Sequence, residues 1–123
     1  MEKIYTNLAP EPVGPYSQAI KVNGFLYCSG QIAINPQTNQ FIDGDIKEQT
    51  QQVMKNIKAV LNQAGYDFSD VIKTTCFIDD MNNFAAFNEI YAQYFTSSPA
   101  RSCVEAKLPK NAKVEVEVIA YKA

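Results

Sequence analysis

The sequence predicts an α+β fold: a mixed β-sheet with two helices packed on one face and its other face open. Three observations carry this expectation. Apolar periodicity along the chain gives the order strand-strand-helix-strand-helix-strand-strand. Each helix links strands in a crossover, and right-handed crossovers bring both helices to the same side of the sheet. The final strand alternates, with Val114, Val116, Val118 and Ala120 on one side and Lys113, Glu115, Glu117, Ile119 and Tyr121 on the other. Only the valine side is built for a helix-covered core.

Residues 17–22 and 25–29 read as two short strands joined by Asn23-Gly24, a strong two-residue hairpin signal. Gly30 to Gly44 reads as a loop with a short extended piece, punctuated by Asn35-Pro36 and Asp43-Gly44. A helix starts at Asp45, an N-cap with Glu48 three residues later. Ile46, Val53, Ile57, Val60, Leu61 and Ala64 form its apolar stripe, and Gly65 stops it. Residues 71–79 are rich in β-branched and aromatic types and read as a strand. A second helix covers roughly 83–95, with Phe84, Phe87, Tyr91 and Phe95 on one face. Pro99 follows, then a strand at 101–106, a turn around Pro109-Lys110-Asn111, and the last strand at 113–121. These two strands are expected to pair through that turn. There is no internal repeat, low-complexity segment or linker, so residues 1–123 are expected to form one domain.

A chain of this length can bury roughly two-thirds of the surface its unfolded form exposes, so it needs neither disulfide nor metal to fold. Seven Phe and seven Tyr mark it as globular. The N-terminus lacks the apolar stretch of a signal peptide, and no run approaches membrane-spanning length, so no membrane is expected as partner. The three cysteines, Cys28, Cys76 and Cys103, are odd in number and widely spaced, which argues against a disulfide framework and makes the cytosol the default compartment. A net charge of −2 without a clustered basic stretch offers no footprint for nucleic acid. The chain contains no histidine. That absence removes Ser-His and Cys-His nucleophile pairs, His-ligated zinc and the usual general base.

The last strand is the most informative segment. Glu115 and Glu117 share a side with Ile119 and Tyr121, a surface half charged and half apolar. It is either a solvated strand face or the wall of a cleft at a subunit interface, where a partly desolvated Glu acts as base. Alternation along 101–106 groups Arg101, Cys103 and Glu105. If that side is the open face, Arg101, Cys103 and Glu115 share one surface. There Arg101 could clamp a carboxylate bidentately or pair with a neighbouring Glu. Cys103 lacks a histidine to activate its thiol, so its backbone groups are the better ligand contacts. Cys28 and Cys76 read as small core residues. Asn88 falls inside the apolar stripe of its helix and is expected to bond backbone groups of a nearby loop. Gly30, after Ser29, allows a close backbone approach. Tyr16, in Gly14-Pro15-Tyr16, reads on its own as a core residue.

Together these pieces resemble the Rid family of reactive intermediate deaminases (YjgF proteins) over nearly the whole length. The segments that carry the resemblance are Ala-Pro-Glu-Pro-Val-Gly-Pro-Tyr-Ser-Gln-Ala (9–19), Cys-Ser-Gly-Gln-Ile (28–32), Pro-Ala-Arg-Ser-Cys-Val-Glu (99–105), Leu-Pro-Lys (108–110) and Val-Glu-Val-Glu-Val-Ile-Ala (114–120). The arginine-containing segment is similar to the deaminating, RidA-like branch. The resemblance implies a chorismate-mutase-like (ferredoxin-like) α+β fold assembled as a homotrimer with three clefts between subunits. It implies hydrolysis of 2-aminoacrylate-type enamines and imines, that is 2-iminobutanoate and 2-iminopropanoate, to 2-oxo acids and ammonia, with no cofactor and no metal. Arg101 would bind the substrate carboxylate and Glu115 hold the attacking water, while Tyr16, Ser29, Gly30, Asn88 and the Cys103 backbone line the pocket.

The chain departs from the family pattern twice. Ala33 stands where a proline is common. The turn between Glu105 and Leu108 is one residue shorter, so counting from Arg101 points at Val116 whereas counting from Leu108-Pro109-Lys110 gives Glu115. Strand alternation favours Glu115, with Glu117 as the second candidate. Arg101 beside Glu115 would help keep the carboxylate ionised. A non-catalytic regulatory protein binding small carboxylates in the same cleft is the alternative, because binding needs Arg101 but not Glu115. A nuclease or translation inhibitor fits poorly with the acidic charge and missing histidine.

Overall fold

The computed structural model describes residues 1–123. In chain order the elements are β1 (Glu2–Ile4), β2 (Ala19–Val22), β3 (Phe25–Cys28), β4 (Ile34–Asn35), β5 (Gln40–Phe41), α1 (Ile46–Gln63), β6 (Val71–Ile78), α2 (Phe84–Tyr94), β7 (Ala100–Glu105) and β8 (Val114–Tyr121). Six strands form one mixed sheet in the order β1-β2-β3-β8-β6-β7, and β4 pairs with β5 in a separate ribbon. Only β6 and β7 run parallel. Neither helix is long and apolar enough to cross a membrane.

Local chemistry explains the helix ends. Asp45 accepts a 2.8 Å bond from the Glu48 N–H and caps α1. The Glu48 carboxylate packs over Gly44. At the other end Gly65 takes φ +86°, which lets the Tyr66 N–H bond back to the Leu61 carbonyl. Two lysines reach over from the sheet and donate to the last carbonyls, Lys21 to Ala64 at 3.1 Å and Lys122 to Gly65 at 3.0 Å.

The expected core forms. Val114, Val116, Val118 and Ala120 are buried against the α1 stripe and against Phe87 and Tyr91 of α2. Cys28 and Cys76 are buried among them. Buried amides lock the connections: Gln49 bonds the Gly44 carbonyl and the Lys113 N–H, and so holds the start of β8, while Asn56 bonds the carbonyls of Ile32 and Ile34. Gln18 bonds both backbone groups of Thr6 and the Pro10 carbonyl, which fixes the N-terminal arm.

One expectation fails. β7 and β8 do not pair through the Pro109 turn; β6 lies between them. The α2 crossover sets β7 parallel beside β6 at the sheet edge. Residues 106–113 then pass over the end of β6, bonding Ala106 N–H to the Ile78 carbonyl and Asp79 N–H to the Lys113 carbonyl. A tight hairpin is therefore replaced by a step across one strand, and this changes which side chains share a face. Thr74 stands opposite both Arg101 and Val118, and Cys76 opposite both Cys103 and Val116. Arg101 and Cys103 thus belong to the helix side. Glu115 stands opposite Phe77, which also faces Val104, and belongs to the open side. On that open side Tyr27, Val104 and Tyr121 are each more than 40% exposed.

Candidate functional site

The sequence-predicted residues gather into two groups on opposite faces of the sheet. The first surrounds Glu115. A cleft of about 280 Å³ lies between the N-terminal arm (Val13, Tyr16), the segment Gly30–Ile32, and Lys110 with Glu115. Gln31 and Val116 exchange both backbone hydrogen bonds, at 3.0 and 3.2 Å, and this bridge holds Gly30 beside Glu115. A Cβ on Gly30 would lie 2.5 Å from Glu115 Oε2. Gly30 does not have positive φ, so the carboxylate, and not a turn, is what requires glycine there. Ser29 donates its hydroxyl to the Ser17 carbonyl at 2.7 Å and so fastens this wall to the segment after Tyr16. Tyr16 itself is half exposed at the cleft and is not a core residue.

Partial burial pushes the Glu115 carboxyl above its ordinary range, and the neighbouring Glu117 adds to this. No cation offsets the shift within the chain, contrary to the expected help from Arg101. Val116, the residue that counting from Arg101 would select, is fully buried on the helix side. Glu117 faces a different hollow, with Tyr27, Lys73 and Thr75.

The second group surrounds Arg101. Its guanidinium lies 4.7 Å from the Tyr91 ring centre and 5.4 Å from that of Phe84, and Nη1 donates to Asn88 Oδ1 at 2.7 Å. Asn88 therefore serves a side chain, not the loop backbone expected of it. The remaining N–H groups of the fork make no intramolecular hydrogen bond. A hollow of about 350 Å³ opens beside Arg101, walled by Tyr91, Phe95 and the 96–99 turn. Cys103 packs partly against the core; burial raises its thiol pKa and Arg101 offsets this in part. Such a thiol is a poor nucleophile.

Arg101, Cys103 and Glu115 thus do not share one surface in the chain. The sheet separates them, because the expected parity assumed that β7 pairs with β8. Sequence reasoning also took Phe84 and Tyr91 as core alone and missed Gln18, Gln31 and Lys110 at the first cleft. Lys110 carried a local signal: with Asn111 it takes positive φ in the tight turn after Pro109, which sets it at the cleft rim. No three of the Cys, Asp and Glu side chains are grouped to hold a metal ion.

Residues 6–122 match the family model described as endoribonuclease L-PSP. A RutC family protein of Pyrococcus horikoshii is 56% identical over 98% of both chains. A 2-iminobutanoate/2-iminopropanoate deaminase of Dermatophagoides farinae is 48% identical, over 94% of this chain and 92% of its own. Among solved structures, YyfA of Yersinia pestis, described as a protein of unknown function of the conserved Rid family, superposes with a TM-score of 0.95 at 54% identity and 98% coverage of both. Escherichia coli TdcF with bound serine gives a TM-score of 0.95 at 39% identity and 100% coverage of both. With the fold, the matched span and these identities in agreement, the chain belongs to the L-PSP family, the YjgF/RutC/Rid proteins.

Proposed function

We propose that this protein hydrolyses 2-aminoacrylate-type enamines and imines, such as 2-iminobutanoate and 2-iminopropanoate, to 2-oxo acids and ammonia. The observation that carries the proposal is the division of the site. A partly desolvated carboxylate and an arginine with unpaired N–H donors lie on opposite faces of one sheet, and we read each as half of a carboxylate-binding, water-activating centre. A second copy would complete both halves, with β7 and α2 of one subunit set against the Gly30–Glu115 cleft of another. The open face supports this, since Tyr27, Val104 and Tyr121 are exposed on a sheet side that no helix of the chain covers. A homotrimer with three such clefts fits the family.

In this scheme Arg101 forms two parallel hydrogen bonds to the substrate carboxylate. Tyr16, Ser29, Gly30, Asn88 and the Cys103 backbone shape the cleft around it. An enamine first tautomerises to the imine. Glu115 takes a proton from water as the water oxygen bonds to the imine carbon and passes that proton to the imine nitrogen, giving the carbinolamine. Glu115 then takes the carbinolamine hydroxyl proton as C=O re-forms and hands it to the departing nitrogen, which leaves as ammonia, so that Glu115 ends ionised as it began. No cofactor enters this sequence. Orientation is the main contribution, because imines already hydrolyse in water. The deaminase from Dermatophagoides and the serine held by TdcF, a small carboxylate, support the substrate class. The nuclease in the family description is disfavoured by the missing histidine, the usual general base, and by a net charge of −2.

The test couples the protein to a threonine dehydratase and follows 2-oxobutanoate release. Acceleration over buffer is expected, with Arg101→Ala abolishing it and Glu115→Gln abolishing most of it while sparing 2-oxobutanoate binding. Absence of acceleration by the native protein would sink the deaminase function. Retained carboxylate binding would then favour a regulatory role.

A further inference from the structure

Arg101 stands on the edge strand β7, where a long side chain is free to sample many rotamers. It does not sample them freely here. Phe84, Asn88 and Tyr91 occupy successive turns of α2, and all three meet the guanidinium. Tyr91 is the anchored member. It is 8% exposed, and its hydroxyl lies 2.8 Å from Oγ1 of the fully buried Thr74. Phe87 and Phe95 pack on its ring, with centroid distances of 5.6 and 4.5 Å. Thr74 is the residue directly opposite Arg101 across the β6–β7 pair. The strand that carries the arginine and the ring that supports it are therefore both referred to one residue.

We infer that Tyr91, held at its hydroxyl by Thr74, is a positioning residue for Arg101, keeping the fork aimed outward and making the site specific for arginine over lysine. The inference rests on the carboxylate-clamp function of Arg101 proposed above. A planar guanidinium stacks on the ring while its edge stays free for two parallel hydrogen bonds; an ammonium offers neither the plane nor the fork. Asn88 occupies Nη1 and fixes rotation about the chain axis, and the ring fixes the tilt.

The experiment measures kcat and KM for dehydratase-generated 2-iminobutanoate, and the Kd of 2-oxobutanoate by titration calorimetry, in the full-length protein. Tyr91→Leu is expected to raise KM and Kd together by roughly fivefold with kcat changed less than about twofold. Tyr91→Phe, which keeps the ring, should recover most of that loss. Thr74→Val, which keeps the shape and removes the hydroxyl that meets Tyr91 and, weakly, Cys76, should show the same pattern with smaller size. In an Arg101→Lys background Tyr91→Leu should cost clearly less, since an ammonium draws on the ring's charge but has no plane to be set by it. Equal losses from Tyr91→Leu in both backgrounds, or a fall in kcat with KM and Kd unchanged, would overturn the inference. If Tyr91→Leu does not fold, Tyr91→Phe and Thr74→Val decide it through the same Kd comparison. A native protein that binds 2-oxobutanoate without deaminating removes the proposed reaction but leaves positioning to be judged on Kd alone. A native protein that does neither removes the clamp, and the inference with it.

Discussion

If Glu115 and Arg101 act as proposed, Gly30→Ala separates the carboxylate half of the site from the arginine half. An alanine Cβ at this position would sit 2.5 Å from Glu115 Oε2, 2.9 Å from Cδ and 3.0 Å from Cγ. Ordinary contact begins at 3.4 Å, so the carboxylate oxygen must retreat by about 0.9 Å. The backbone does not resist the change, because Gly30 has no positive φ and its strand-end geometry accepts alanine. Nor does the fold, because the nearest atoms belong to the flexible end of a glutamate. A misplacement of about 1 Å in a catalytic group can cost on the order of 10²-fold. We therefore expect kcat to fall between about tenfold and 100-fold, with the Kd of 2-oxobutanoate within about twofold of the native value, because Arg101 and its α2 support are untouched. The thermal midpoint should be unchanged or slightly higher, as alanine narrows the unfolded ensemble by about 0.4–1 kcal/mol. The coupled dehydratase assay at saturating imine reads the first quantity and calorimetry the second. A variant with native kcat would refute the water-activating position of Glu115, and a Kd that rises as far as kcat falls would show that the two halves are not separable.

Three further outcomes follow from the same geometry. Charging the open face with Val104→Lys and Ile119→Lys should reduce the particle to a single chain by light scattering and abolish deamination although both half-sites remain; activity in a monomer would refute the shared cleft. In that dissociated chain Glu115 has a folded pKa raised above its ordinary 4.5, so the unfolded state loses its proton first as pH rises and stability falls through the window above 4.5. Adding Glu115→Gln there should raise the urea midpoint at pH 7 and leave it unchanged well below pH 4.5; no gain at pH 7 would contradict the burial of that carboxylate. Asn56→Ala removes the fully buried amide that bonds the carbonyls of Ile32 and Ile34 and the partly buried Gln52, so equilibrium urea unfolding should show a loss of about 1–3 kcal/mol.

What the sequence made readable was local. Asp45 and Gly65 mark α1 to within a residue because capping and positive φ are decided by neighbours in the chain. Val114 to Ala120 announce their own buried face by alternation. The short strands β1, β4 and β5, of two or three residues each, carry no period to detect. The partner of β7 depends on where α2 deposits the chain, a contact across the whole sheet, and the Pro109 turn looked like a hairpin because a hairpin is the local solution. Gln49 and Asn56 did leave a trace. Both are polar residues at core-phase positions of α1, and each holds a segment that shapes the Glu115 cleft.

The corrected parity of β7 makes Arg101 and Glu115 more coherent as a pair, not less. On one face of a single chain they would meet as an ion pair, satisfied and closed to substrate. On opposite faces each keeps an unmet need: Arg101 has free donors on a rigid aromatic rest, and Glu115 has a charge made costly by burial and by Glu117. An arginine brought from a neighbouring copy answers the second need by lowering the carboxyl pKa, and a substrate carboxylate answers the first. Assembly would then ease the burial cost of the Glu115 charge, because the completed cleft brings an arginine beside it. A β7–β8 hairpin would have joined the two groups within one chain and removed the reason for a cleft between chains.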